Sequence, residues 1–303
     1  MSFFRRLQQD KLGIACLMFL GLLTLAGIFA PLLAPHDPTL VNVAVKLATP
    51  SLEYPLGTDH LGRCLLSRVL FGIRTTFFYA FLAMGVTILF GVIFGMLAGY
   101  SNGKVREAIL RFCDAMLSFP SEVMILAIVG ILGPGILNIV IANILSKWAW
   151  YTRMIYSSVQ QYRSKNYVKF AQVNQGSPFY IMRKHIASGI AGEVTTHSTL
   201  EMGWVILSIS SLSFLGLGVQ PPTPEWGMML NEAKNVLFTN PWQMIPAGTI
   251  TLLVVIALNF LGDSLQNAMN PQAYMINVKQ QKKLLRFGTG RKRLNVNIES
   301  EKS

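Results

Sequence analysis

Residues 75 to 100, TTFFYAFLAMGVTILFGVIFGMLAGY, run without one charged side chain. As a helix such a stretch spans a bilayer, since about 20 apolar residues rising 1.5 Å each cover the hydrocarbon core. In that solvent every backbone polar group must pair within its own element, so the remaining spans are also read as helices. LGIACLMFLGLLTLAGIFAPLLA (12–34) and MIPAGTITLLVVIALNFLG (244–262) have the same character. VTTHSTLEMGWVILSISSLSFLGLG (194–218) is apolar in its second half and carries His197 and Glu201 in its first. The 12–34 run follows a basic start, MSFFRRLQQDK, but exceeds the apolar core of a signal peptide and is read as a retained span.

Charge resolves the ambiguous region 115–152. Only 13% of residues are charged, about half the share of a soluble domain. The 26 Lys and Arg outnumber 14 Asp and Glu, giving a net charge of +12. That excess lies between the apolar runs, as in basic cytoplasmic loops, rather than in a nucleic-acid-binding patch. Residues 153–192 hold Arg153, Arg163, Lys165, Lys169, Arg183 and Lys184 and no acid, so that loop and the basic N-terminus both belong on the cytoplasmic side. An even number of spans must separate them. The sequence therefore predicts helices over 115–132 and 136–152, joined by a tight external turn at Gly133-Pro134-Gly135. The expected fold is an all-α polytopic membrane protein with six transmembrane helices and both termini cytoplasmic. It divides into an N-terminal span and external segment (1–74), a transmembrane core (75–270) and a basic tail (271–303). The tail faces anionic lipid or solvent rather than nucleic acid.

The loop FAQVNQGSPFYIMRKH (170–185) has its own structure. NYVKFAQVN reads as a short helix, with Gly176 in the left-handed position that ends it. Ser177 is a helix N-cap and Pro178 suits the first helical position. PFYIMRKHIA reads as a second short helix, with Arg183, Lys184 and His185 at its C-terminal end. Phe170, Val173, Phe179 and Tyr180 are expected on the surface. On these residues alone the element is either an amphipathic pair on the inner leaflet or a docking knob.

Glu193, His197 and Glu201 follow one another at i, i+4 and i+8, so they share a helix face. Ionisable groups inside a membrane commonly face the bundle interior. The three line a translocation pathway, ligate a divalent cation, or pair with one another structurally. Glu122 is read as interfacial, and Trp148, Trp150 and Tyr151 as an interfacial belt. In QPPTPEWG, three prolines and Gly227 fix a rigid loop. Cys16, Cys64 and Cys113 are far apart, with no disulfide framework and no metal-binding spacing. No GxxxxGK[ST] phosphate loop, HExxH or GxSxG occurs, so neither ATP binding of that kind nor those enzyme classes is expected.

Several segments together carry a resemblance. Phe170-Ala171-Gln172, then three residues, then Gly176 resembles the EAA-type loop of membrane subunits of bacterial ABC importers. Its first Ala and its Gly match, while Phe170 and Gln172 depart from the pattern. LGTDHLGRCLLSRVLFGIRTT (56–76), SSLSFLGLGVQPPTPEWGMML (210–230) and NPWQMIPAGTITLLVVIALNFLGDSLQNAMNP (240–271) are similar to the dipeptide, oligopeptide and nickel permease subfamily. Where that subfamily usually reads Gly-Arg-Asp, this chain has Gly62-Arg63-Cys64.

The resemblance implies a type I ABC importer permease in a bacterial cytoplasmic membrane. Its expected partners are a second permease subunit, two cytoplasmic ATPase subunits that hold the ATP, an extracytoplasmic solute-binding protein and membrane lipid. No cofactor or metal is expected on this chain. Residues Phe170, Ala171, Gln172, Gly176, Ser177 and Pro178 become the ATPase-coupling loop. ILSKWAWYTRMIYSSV (144–159), and LSISS (207–211) where peptide permeases often carry a Glu, point to nickel or another metal as a chelate. A di- or oligopeptide is the alternative.

Overall fold

The computed structural model describes Leu7 and residues 10–269. The basic tail and the N-terminal arginines lie outside them. The described residues are largely helical, with one isolated bridge between Thr58 and Cys64. Helix α1 runs Lys11–Ile28, with the Asp10 carboxylate accepting from the Leu12 and Gly13 N–H groups at 3.1 and 3.2 Å. Helix α2 is continuous over Leu65–Tyr100, with a π turn at Ile73–Phe78. Helices α3 (Lys104–Leu117) and α4 (Ser121–Leu132) follow, then α5 (Ile136–Arg163) and the short α6 (Asn166–Val173). Helix α7 is assembled from Pro178–Ile181, a π turn over Met182–Ile186, and Ala187–Phe214. Helix α8 (Trp226–Lys234) precedes α9 (Ile245–Met269).

Among the described residues, three helical stretches are long and apolar enough to cross a membrane: Lys11–Ile28, Leu65–Tyr100 and Pro241–Met269. The α3–α4 pair makes a fourth if its two arms count as one span. Leu22, Leu89, Ile93, Ile131 and Leu252 are exposed on the outer faces of these helices, an apolar exterior suited to a bilayer.

Two expectations are corrected here. The single helix over 115–132 is broken: α3 and α4 meet at 84° around Ser118-Phe119-Pro120. Proline donates no backbone N–H and disfavours helical geometry in the residue before it, so the chain turns there. The 12 residues of α4 rise only about 18 Å and do not cross a bilayer alone. The break at Gly133-Pro134-Gly135 is present, with both glycines at positive φ, and α5 then continues to Arg163 rather than 152.

The tightest helix contact is written in the sequence as small residues four apart. Gly91, Gly95 and Gly99 of α2 lie against Tyr151, Ile155 and Val159 of α5. A Cβ on each would sit 2.5, 2.7 and 2.4 Å from a side-chain carbon of its partner. Such a stripe lets two backbones approach where no hydrophobic effect drives helices together. Gly95→Val is expected to destabilise the chain by about 1–3 kcal/mol through overpacking, read as a lower thermal midpoint in detergent. An unchanged midpoint would show that the two helices can separate freely.

At the opposite end of α2 a cap is built from residues 35–64 and 219–243. Four charged side chains hold it. The Arg63 guanidinium donates to Asp59 at 2.6 Å and to Glu232 Oε1 at 2.8 Å. Arg68 donates to Glu232 Oε2 at 2.8 Å and lies 3.6 Å from Asp59. All four are buried, and their charges cancel. Buried Trp226 donates from Nε1 to the Val69 carbonyl at 3.2 Å. Buried Glu225 caps α8, accepting from the Gly227 and Met228 N–H groups and the Thr76 hydroxyl at 3.0, 2.8 and 3.0 Å. Burial pushes its carboxyl above the ordinary carboxylate range, against those hydrogen bonds. Cys64 stands at the N-cap of the first turns of α2 and makes no side-chain capping bond, a role the more usual Asp could fill.

Candidate functional site

The geometry of the knob formed by residues 166–186 follows from local rules. Helix α6 ends in a Schellman motif: the Gly176 N–H reaches the Ala171 carbonyl and the Gln175 N–H reaches that of Gln172, at 3.0 and 3.1 Å. The left-handed residue is Gln175 (φ 57°), not Gly176 as the sequence suggested. Gly176 is required for space instead. A Cβ there would lie 2.9 Å from the Ala171 carbonyl oxygen. Ser177 caps the next helix, accepting from the Tyr180 N–H at 3.2 Å, with Pro178 in its first turn.

That next helix is not a separate short one. It runs through the π turn into α7, because no breaker follows Pro178. Arg183, Lys184 and His185 therefore sit near the start of a long helix and gain nothing from a C-terminal dipole. Phe170, Val173, Phe179 and Tyr180 are exposed as expected. The exposed cations Lys165, Lys169, Arg183 and Lys184 surround them.

Beneath this surface the knob is anchored. Val168 and Ile181 are fully buried in a cluster with Ile155 and Val159 of α5 and Ile186 and Ile190 of α7. The element is thus fixed at once to both long helices that flank it.

The same two helices carry the second feature. Glu193, His197 and Glu201 do share a face, and that face meets α5. Glu193 accepts from the Ser158 hydroxyl at 2.7 Å. His197 packs edge-on to Trp150, ring centres 5.9 Å apart. Glu201 pairs with Lys147 of α5, not with His197, so the expected structural pairing within the triad is not formed. Lys147 escapes a sequence reading because it stands alone between apolar residues, and one sequence does not reveal which helix faces it. The three also divide between two openings. Glu193 and His197 line a polar cleft with Tyr162, Thr196 and Gln266.

Glu201 lines another cleft, of about 370 Å³, with Glu122, Lys147, Trp150, Tyr151 and Trp204. Glu122, expected at the interface, is thus an exposed wall of this cleft. A further opening shares Glu122, Lys147 and Trp204 and extends past Ser208 and Ser211 to Leu215, near the far end of α7. A groove therefore follows α7 between α4 and α5.

Of the three aromatic residues read as a belt, Tyr151 is fully buried against Gly91, Trp148 is half-buried between Phe94 and Phe112, and Trp150 is exposed. No group of three His, Cys, Asp or Glu side chains able to hold a metal comes together among the described residues.

Known proteins resemble this chain over most of its length. The family described as "Binding-protein-dependent transport system inner membrane component" matches residues 91–273. "N-terminal TM domain of oligopeptide transport permease C" matches residues 2–50. The Metal-staphylopine import system permease protein CntC of Staphylococcus aureus is 43% identical over 272 residues, 90% of this chain and 94% of that protein. The Nickel transport system permease protein NikC of Escherichia coli is 33% identical, covering 84% and 92%. The Dipeptide transport system permease protein DppC of Alkalihalophilus pseudofirmus is 34% identical, covering 89% and 88%.

Proposed function

Because this chain belongs to the family of binding-protein-dependent transport system inner membrane components, the permeases of ABC importers, we propose that it couples ATP hydrolysis on separate ATPase subunits to import of a metal chelate. The knob from Asn166 to Ile181 is the ATPase-docking element, built on Phe170, Ala171, Gln172, Gly176, Ser177 and Pro178. The groove lined by Glu201, with His197 and Glu193 on the same helix face, is this subunit's share of the pathway. A second permease subunit closes it, and an extracytoplasmic solute-binding protein delivers the cargo.

One observation carries this reading. The knob is anchored through Val168 and Ile181 on α5 and α7, the two helices whose side chains Lys147 and Glu201 meet in the groove. A displacement imposed at the knob therefore reaches the groove through two stiff rods rather than through a loop. That is what alternating access needs: an element with two arrangements, biased by a partner that binds them unequally.

Six spans with both termini cytoplasmic fit the same picture. Helices α5 and α7, with 28 residues in α5 and in the Ala187–Phe214 portion of α7, rise about 42 Å, more than a bilayer core requires. Lys147 of α5 and Glu201 of α7 are turned towards each other instead of lipid, which makes such helices tolerable in a membrane. The bent α3–α4 pair supplies the remaining span.

The metal-chelate reading draws on the similarity to the staphylopine and nickel permeases, and the dipeptide relative supports peptide import as the second reading. Uptake by cells lacking this chain separates the two. The proposal expects loss of nickel or cobalt accumulation from chelates, restored by the intact chain, with labelled dipeptide uptake unchanged. Loss of dipeptide uptake alone would reject it.

A further inference from the structure

The groove holds features that the division of labour above does not require. Lys147 and Glu201 pair across α5 and α7 while both side chains keep some exposure to the opening, 16% and 28%. Glu122 stands in the same cleft and forms no ion pair among the described residues. Tyr151 also lines it, fully buried, with a hydroxyl that finds no hydrogen-bond partner. Trp150 and Trp204 form apolar walls. A purely structural ion pair needs neither a spare acid nor a buried unpartnered hydroxyl beside it, and an unpaired hydroxyl of that kind is costly unless something reaches it.

We infer that this cleft is a cargo-selecting site that recognises a carboxylate oxygen not bound to metal, with Lys147 as the group that receives it. The inference rests on the groove being the pathway. In the resting cleft Glu201 occupies the lysine. A cargo carboxylate takes that place, hydrogen-bonded also by the Tyr151 hydroxyl, and the released Glu201 joins Glu122 to face the cationic part of the cargo. The pair is thereby a competitor that the right cargo displaces. This keeps binding weak enough for release, as a transporter requires. A bare hydrated cation brings no carboxylate to displace Glu201 from Lys147, and the lysine meets it as a like charge. The cargo class is therefore an organic carboxylate with a separate positive centre. An amino-acid-type metal chelate and a short peptide both have that chemistry.

The test uses the complete importer in proteoliposomes, supplied with three probes: hydrated nickel, nickel nitrilotriacetate and labelled alanyl-alanine. Uptake by wild type of the chelate or of the dipeptide identifies the source of the carboxylate, whereas uptake of hydrated nickel alone overturns the inference. For the accepted probe, Lys147→Met should reduce uptake about 10- to 100-fold, the factor expected for one charge-assisted hydrogen bond. Lys147→Arg should retain most of it. Glu201→Gln should lower the cargo concentration giving half-maximal stimulation of ATP hydrolysis, because the competitor is gone. The exchanged variant Lys147→Glu/Glu201→Lys keeps the pair but reverses its polarity and should remain inactive. If the pair were only structural, Lys147→Met and Glu201→Gln would fall together and the exchange would restore uptake, which overturns the inference. If ATP-driven uptake persists unchanged in all these variants, the groove is not the pathway, although the chain remains a permease.

Discussion

Replacing Glu232 with alanine is expected to destabilise the chain by about 3–5 kcal/mol, the scale for breaking a buried charge network from one side. Glu232 gives one oxygen to Arg63 and the other to Arg68, and both guanidinium groups are almost completely buried. Its removal leaves two arginines to share Asp59, so one positive charge is uncompensated in a buried site. Glu232 is the nearer of the two acids to Arg68, at 2.8 Å against 3.6 Å for Asp59. The network also ties the start of α2 to α8, so its loss frees the whole cap. Thermal unfolding of the purified chain in detergent reads the effect, with Lys147→Met as a control that leaves this network intact. A loss below about 1 kcal/mol would mean that the network is solvated and contributes no more than a surface pair.

The second large effect is on coupling rather than stability. Gly176→Val should reduce ATP-driven uptake at least tenfold, as when a principal interface contact costs about 2 kcal/mol. The mechanism is steric: a side chain at this position collides with the Ala171 carbonyl that the Gly176 N–H itself must reach. The Schellman turn then opens, and Phe170 and Val173 lose their fixed placement relative to Phe179 and Tyr180. The buried anchors Val168 and Ile181 are untouched, so membrane insertion and chain abundance should stay normal. Gln175→Gly is the complementary variant. It relieves the left-handed glutamine and should preserve uptake. Normal transport by Gly176→Val would remove the docking role from this turn.

Much of this arrangement is legible in the amino-acid sequence. The apolar runs at 75–100 and 244–262, the GPG break and the Ser177-Pro178 helix start all follow from local rules of hydropathy, capping and proline geometry. So does the exposure of Phe170, Val173, Phe179 and Tyr180, which lie on a basic loop too polar to span a bilayer. What stays hidden depends on contacts between distant segments. The pairing of Lys147 with Glu201, and of Arg63 and Arg68 with Glu232, requires knowing which helices meet. The fracture at Pro120 is signalled by the proline but outweighed by the need for an even number of spans. Glycine propensity places the left-handed residue at Gly176, whereas the chain takes that conformation at Gln175. The packing against Ala171 shows why glycine is present one position further on. The small-residue stripe at Gly91, Gly95 and Gly99 is visible in the sequence as a four-residue spacing, and only its partner helix is not.

Transport by this mechanism depends on one mechanical link: the knob moves α5 and α7 together with the groove between them. Spin labels at Leu145 of α5 and Leu207 of α7, both exposed positions, report the spacing of those helices in the assembled importer. The distance distribution between them is expected to change when a non-hydrolysable ATP analogue binds the ATPase subunits, and Gly176→Val is expected to abolish that change. A distribution that ignores the nucleotide, or one that shifts equally in the Gly176→Val variant, would contradict it.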